Sequence, residues 1–273
     1  MGKQVIKRLT LAGASLVLLL SGCSWLPDQI DMTEGWSANR LYTTAKEATA
    51  EGNYDYAVEL LEKLQARYPF GRYAQQAQIE LIYAYYKDNE PDLAIASADR
   101  FIRTYPRHPV VDYAYYLKGL TNFNRGVTAV EKLFPNDPAK TDTEVALQSF
   151  NDFSELVQRF PDSRYAEDAR QRMVFLRNNL AAYEVNVADF YLRRGAYVAA
   201  ANRGKYVLEN YQQTPAATDA LAIMVRAYHN MGMDDLAADS LRVLSTNHPR
   251  AEQIAGLQAL LAGRDRQTGL SLF

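Results

Sequence analysis

Small and apolar residues recur at offsets of zero, four, seven and eleven in five separate stretches of the chain, and each stretch ends in a ring-bearing residue. Three stretches, GNYDYAVELLEKLQARYP (52–69), NEPDLAIASADRFIRTYP (89–106) and GMDDLAADSLRVLSTNHP (232–249), align without gaps. LQSFNDFSELVQRFP (147–161) aligns over its fifteen residues, and GAYVAAANRGKYVLENYQ (195–212) aligns from Tyr197 onward. In this register Ala57, Ala94, Ser149, Ala200 and Ala237 share a small-residue position. Leu64, Phe101, Leu156, Val207 and Leu244 share an apolar one, and Tyr68, Tyr105, Phe160, Tyr211 and His248 share the ring slot. Offsets of this kind place the side chains on one face of a helix. A proline after the ring residue, present in four of the five, cannot continue that helix.

The segments upstream, 75–86, 112–124 and 218–231, carry helical patterns of their own, so each unit reads as a helix hairpin. Gly52, Gly195 and Gly232 stand where the tight turn inside a hairpin needs positive φ. No stretch alternates with period two, and no strand is expected. The intervals between the small residues are 37, 55, 51 and 37. The first long interval is assigned to a loop near 125–143 and the second to one long helix near 164–194. Gly, small residue, ring and terminal Pro at these offsets resemble the tetratricopeptide repeat. The expectation is an all-α superhelical solenoid of five hairpins, ten or so helices in all. Repeats 1 and 2 and the first helix of repeat 3 occupy 38–143, the remaining repeats 144–249, and a C-terminal helix and tail 250–273.

The beginning of the chain has a different pattern. Lys3, Lys7 and Arg8 precede the apolar run 9–20, which has the length of a secretory signal rather than of a spanning helix. Leu20-Ser21-Gly22-Cys23 then stands where an A-x-A-like site is expected, and it resembles the bacterial lipobox. That resemblance implies removal of residues 1–22 and acylation of Cys23, with residues 23–37 as a lipidated flexible tether. Cys23 is the single cysteine, so no disulfide forms within the chain. Ser24 after it is, by the same resemblance, compatible with the outer membrane.

Without residues 1–22 the chain keeps 27 Lys+Arg against 32 Asp+Glu, a net charge of −5, which gives no electrostatic reason to bind nucleic acid. No two of the three histidines share a metal-ligand spacing, and HExxH, GxSxG, P-loop and GxGxxG patterns are absent. No catalytic residue, metal or cofactor is expected beyond the covalent N-acyl and S-diacylglycerol groups on Cys23. Stacked hairpins build a concave surface that binds peptides or proteins, so a binding protein is expected rather than an enzyme.

The 19 tyrosines suggest where that surface lies, since tyrosine suits both packed cores and wet interfaces. In the tetratricopeptide pattern the second, fifth, ninth and twelfth positions of each first helix face the concave side. They give Asn39, Tyr42 and Lys46 in repeat 1, Gln76, Ile79, Tyr83 and Tyr86 in repeat 2, and Tyr113, Tyr116 and Phe123 in repeat 3. An aromatic groove with few charges suits an extended peptide with aromatic side chains. For each tyrosine, packing between repeats is an equally open reading.

RYPFGRYAQQAQIELIYAYYK, DRFIRTYPRHPVVDYAYYLKGLTN and the NRG after RRGAYVAA, with the lipobox, resemble the BamD (ComL/YfiO) family. These are lipoproteins of the outer-membrane β-barrel assembly machine. The resemblance implies contacts with the periplasmic POTRA region of BamA, with accessory Bam lipoproteins and with nascent barrel proteins that end in an aromatic residue. Arg203 matches the family's Asn-Arg pair and is the expected BamA contact, with Arg193 and Arg194 beside it, although a solvated helix face is an open reading for those two. A pilot or adaptor for a secretin or a peptidoglycan synthase would explain the lipobox and the repeats equally well, and the long matching stretches less well.

Overall fold

The structure, a computed structural model, describes residues 31–125 and 143–270, with side chains as far as 263. The signal segment, Cys23 and most of the 125–143 loop lie outside the described residues. Those described form helices only: α1 (Ala38–Glu51), α2 (Tyr54–Arg67), α3 (Arg72–Lys87), α4 (Pro91–Thr104), α5 (Val111–Arg125), α6 (Thr143–Arg159), α7 (Ala166–Arg193), α8 (Tyr197–Asn210), α9 (Ala216–Asn230), α10 (Asp234–Asn247) and α11 (Gln253–Leu270). Each helix packs antiparallel-fashion on the next, and α1, α3 and α5 also touch in succession, as do α7, α9 and α11. This is the expected solenoid of five hairpins closed by a C-terminal helix. The long helix is α7, with 28 residues where its neighbours have 14 to 17.

The repeat register is the packing rule. All ten residues of the small and apolar positions, Ala57 to Ala237 and Leu64 to Leu244, are fully buried. A small side chain lets paired helices approach, and the apolar one seven residues on fills the space between them. The ring slot has a second role at the helix end. The backbone N–H groups of Tyr68, Tyr105, Phe160, Tyr211 and His248 donate to the carbonyls of Leu64, Phe101, Leu156, Val207 and Leu244 at 2.7–2.8 Å. Each slot residue thus closes its helix, the rings of Tyr105, Phe160 and Tyr211 pack back on the core, and in four of the five a proline follows.

Four hairpin turns share one left-handed corner. Gly52, Gly195 and Gly232 have φ of 74–79°, and Asn89, with φ 61°, fills the same place in repeat 2, where the sequence has no glycine. Asn tolerates this region better than most residues. The N–H groups of Asn53, Glu90, Ala196 and Met233 then reach back to Ala48, Tyr85, Tyr191 and Tyr228 at 2.9–3.0 Å. This is the six-to-one bond of a Schellman end, which satisfies a carbonyl the helix leaves open.

The expected tether gains structure earlier than residue 37. Residues Asp31–Trp36 form a turn tied to α2: Asp31 pairs with Lys63 at 3.0 Å and with Arg67, and the Arg67 guanidinium donates to the Thr33 carbonyl at 2.6 Å. The reason is electrostatic, because Lys63 and Arg67 lie one turn apart on α2 and converge on one carboxylate. Among the described residues no helix is long and apolar enough to cross a membrane.

Candidate functional site

The first helices α1, α3 and α5 line one wall, and the structure extends that wall onto α7. Tyr42 on α1 lies 5.7 Å from Tyr73 on α3, and its hydroxyl donates to Glu80 at 3.4 Å. The Tyr73 hydroxyl in turn donates to Asn39 at 2.7 Å. Further along α3, Tyr83 meets Tyr54 edge-on at 6.4 Å and Tyr86 at 6.5 Å, and Asn124 donates to the Tyr86 hydroxyl at 2.7 Å. On α5, Tyr113 and Tyr116 both stack on Tyr165, at 5.3 and 4.6 Å. Phe123 lies 5.7 Å from Phe175 on α7. Offset and tilted pairs at these distances hold the rings against one another. Tyr42, Tyr83, Tyr86, Tyr113, Tyr116 and Phe123 are all partly buried, each packed against the core between repeats as well as lining the wall.

Seven of the eight groove residues named from the sequence are therefore on or beside this wall, and one is not. Ile79 is 9% exposed and belongs to the core between repeats 2 and 3, so it is corrected from wall to packing residue. Ile79 shares one buried cluster with Ile82 on its own helix and with Val111 and Ala114 of the next hairpin, which packs over it. Gln76 is partly buried. Lys46 is not a free charge: its ammonium forks onto both Glu80 oxygens at 2.9 and 3.0 Å.

Apart from Lys46, the charges of the groove come from residues the sequence register did not select. Asp168 accepts from the Tyr116 hydroxyl at 2.8 Å and from Arg172 at 2.6 Å, and the Arg172 guanidinium lies 4.8 Å over the Phe123 ring. Burial, then the bond to Asp168, pushes the Tyr116 hydroxyl up to about 12. Burial is also the main cause that raises the Tyr113 hydroxyl above its ordinary value, followed by the neighbouring Tyr165. Both tyrosines stay neutral donors at any physiological pH. Asp168, Arg172 and Phe175 sit at offsets of zero, four and seven on α7, the one-face spacing of a helix that marks them in the sequence.

The three candidate arginines of the C-terminal half, Arg193, Arg194 and Arg203, each have their own partner. Arg203 on α8 pairs with Glu184 on α7 at 2.8 Å, Arg193 pairs with Asp189 at 3.0 Å, and Arg194 lies 4.7 Å over the Phe190 ring. Beside Arg203, an apolar hollow is lined by Ala196, Tyr197, Val198, Ala199, Asn202 and Met231. Val198, 63% exposed, forms its rim. Among the described residues no three His, Cys, Asp or Glu side chains are grouped to hold a metal ion.

A family model described as "YfiO: Outer membrane lipoprotein" matches residues 35–244. The chain is 43% identical over 240 residues to an outer membrane protein assembly factor BamD from Neisseria meningitidis Z2491, covering 87% of this chain and 90% of that one. It is 40% identical to the protein of the same description from Vibrio cholerae El Tor Inaba N16961, covering 89% and 99%. Among solved structures it is similar to a thermophilic tetratricopeptide protein from Thermus thermophilus, at 14% identity and a TM-score of 0.36, over 83% of this chain and 98% of that one.

Proposed function

The chain belongs to the BamD (YfiO) family of outer-membrane lipoproteins and is a component of the outer-membrane β-barrel assembly (Bam) complex, and on that premise we propose that it acts there as a binding scaffold without catalytic chemistry of its own. In this reading the chain is held at the outer membrane by acyl groups on Cys23 and faces the periplasm, with no other cofactor. More than one acyl chain gives stable attachment, because each buried methylene adds about 0.8 kcal/mol and a single chain is marginal.

The observation that carries the functional reading is the series of aromatic clusters from Tyr42 to Phe175 on four stacked first helices, with the Asn124–Tyr86 hydrogen bond joining α3 to α5. Its rings are pre-ordered by one another, so a bound segment loses its own freedom but little of the wall's. The wall combines apolar ring edges with polar groups that are held in place by one another, Tyr42 and Lys46 on Glu80 and Tyr116 and Arg172 on Asp168. Such a mixed surface suits an extended strand with alternating aromatic and polar side chains. The proposed ligand is the last strand of a nascent barrel protein. The C-terminal repeats, with Arg203 and the adjoining apolar hollow, supply the proposed face for the POTRA region of BamA. An exposed apolar rim next to an arginine is the composition of an interface centre. The remaining surface serves the accessory lipoproteins.

The test separates the two faces. Replacing Tyr83 and Tyr86 together with alanine is expected to weaken binding of a synthetic last-strand peptide while the barrel subunit still co-purifies; substituting Arg203 is expected to do the reverse. Loss of both activities with unchanged circular dichroism would remove the division of labour. Co-purification of a secretin or a peptidoglycan synthase in place of a barrel with periplasmic repeats would overturn the partner assignment.

A further inference from the structure

The most exposed apolar side chains among the described residues are not in the groove. Phe70 is 89% exposed and Met32 is 81% exposed, and both stand at the edge where the chain enters the first repeat. Phe70 lies in the α2–α3 turn, set outward by Gly71 with φ 93°. The Tyr68 hydroxyl donates to the Trp36 carbonyl at 2.9 Å, which joins that turn to the turn before α1. The Arg40 guanidinium lies 4.0 Å over the Trp36 ring, and the Arg72 guanidinium lies 5.2 Å over Tyr73. The edge therefore presents two protruding apolar tips and two exposed arginines around the Trp36 and Tyr73 rings, which are partly buried against the core of the first repeats, with Glu34 as an exposed acidic neighbour.

We propose that this edge is a lipid-contacting surface, in which Phe70, Met32 and Trp36 seat in the headgroup layer of a phospholipid leaflet while Arg40 and Arg72 meet anionic headgroups. The proposal rests on the reading of Cys23 as the acylated residue. Trp and Tyr favour the membrane interface because their rings are apolar and their tips polar. Arginines beside them gain from a negative leaflet surface. The protein's own covalent geometry selects a lipid surface over a protein partner as occupant. Asp31 is fastened to this edge by Lys63 and Arg67. From Cys23 to Asp31 there are eight peptide spacings, which span at most about 30 Å when fully extended. An acylated Cys23 thus keeps Asp31, and the edge it is fastened to, within about 30 Å of the leaflet. Exposed apolar patches rimmed by polar groups mark interaction sites, and the tethered surface is always the leaflet itself.

The chain has two tryptophans, Trp25 and Trp36, so Trp25→Phe leaves Trp36 as its only reporter. The full mature chain carrying that change is placed on vesicles of phosphatidylethanolamine and phosphatidylglycerol, with and without bromine on the acyl chains. Expected is quenching of Trp36 by the brominated lipid, and loss of that quenching on Phe70→Ser and on the Arg40→Ser, Arg72→Ser pair, with circular dichroism unchanged. Unquenched Trp36 in vesicle-bound protein, or quenching that both variants retain, overturns the proposal; a protein partner for this edge would give the first of these. Mass spectrometry of the same protein reads acylation of Cys23 separately. If the chain is not acylated, its direct sedimentation with the same vesicles decides: binding that needs Phe70 and phosphatidylglycerol supports the surface, and no binding overturns it.

Discussion

Arg203 on α8 and Glu184 on α7 form an ion pair at 2.8 Å that crosses the hairpin of the fourth repeat, with Glu184 only 14% exposed and Arg203 45%. The pair joins a structural acid to the residue proposed as the partner contact. The bond to Glu184 is the leading cause that raises the Arg203 pKa above its ordinary value. For a pair this open to water the contribution to stability is small, below about 1 kcal/mol. Glu184→Gln is expected to leave the fold and peptide binding unchanged while releasing the guanidinium, and Arg203→Ala to lower co-purification of the barrel subunit with little change in melting temperature. Thermal denaturation beside a pull-down reads both. Equal losses of stability and docking in the two variants would make Arg203 a structural residue.

Gly119 lies where α5 and α6 pack closely, its carbonyl accepting from the Ser149 hydroxyl at 3.0 Å. A Cβ at this position would stand 2.6 Å from Cε1 and 2.7 Å from Cδ1 of the fully buried Phe153. Gly119→Ala is expected to destabilise the protein by about 1–3 kcal/mol through overpacking, despite the better helix propensity of alanine. Urea denaturation checks it. A variant as stable as the parent would mean that the third repeat can part its helices without cost.

In the groove, Tyr116→Phe removes the hydroxyl that donates to Asp168 at 2.8 Å but keeps the ring stacked 4.6 Å from Tyr165. Arg172 still holds Asp168, so folding stability is expected to change by no more than about 1 kcal/mol. If peptide recognition uses the polar tips, affinity falls in this variant; if it uses the faces alone, Tyr116→Phe binds as the parent does and Tyr83→Ala carries the loss. Peptide titration by calorimetry distinguishes the two.

The entry turn has a predictable acid response. Hydrogen bonds from the Thr33 side chain and from Lys63 hold the Asp31 carboxyl far below its ordinary value of 3.8. A carboxylate with a lowered folded pKa contributes order that is fully present above the unfolded value and is lost as pH falls below it. Trp36 emission in a Trp25→Phe background is therefore expected to be constant from neutral pH down to about 4 and to change below it. Asp31→Asn is expected to show the changed emission already at neutral pH. An identical acid profile in the two proteins would mean that Asp31 does not hold the turn.

The hairpins, their register and the long helix were legible from residue spacing, because a solenoid buries each element against its sequence neighbours and the pattern needed is local. Asn89 shows the margin of that legibility: the left-handed corner is required by the hairpin, and the sequence marks it with glycine in three repeats and asparagine in one. The membership of the wall was only partly legible. Tyr42, Tyr83, Tyr86, Tyr113, Tyr116 and Phe123 follow from helical position, whereas Ile79 shares that position and is buried, since the next hairpin packs over it.

What the sequence determined by itself is the all-helical repeat, the ring residue that closes each second helix, and the family, all of which depend on side chains within about one hairpin of each other. What only the tertiary structure decided is which charges enter the groove and where the entry turn is fastened. The Lys46–Glu80 fork spans 34 positions, Tyr116–Asp168 spans 52, and Asp31–Arg67 spans 36. Separations of that size are set by the angle at which successive hairpins stack, and that angle comes from packing volume rather than from the period of any one helix.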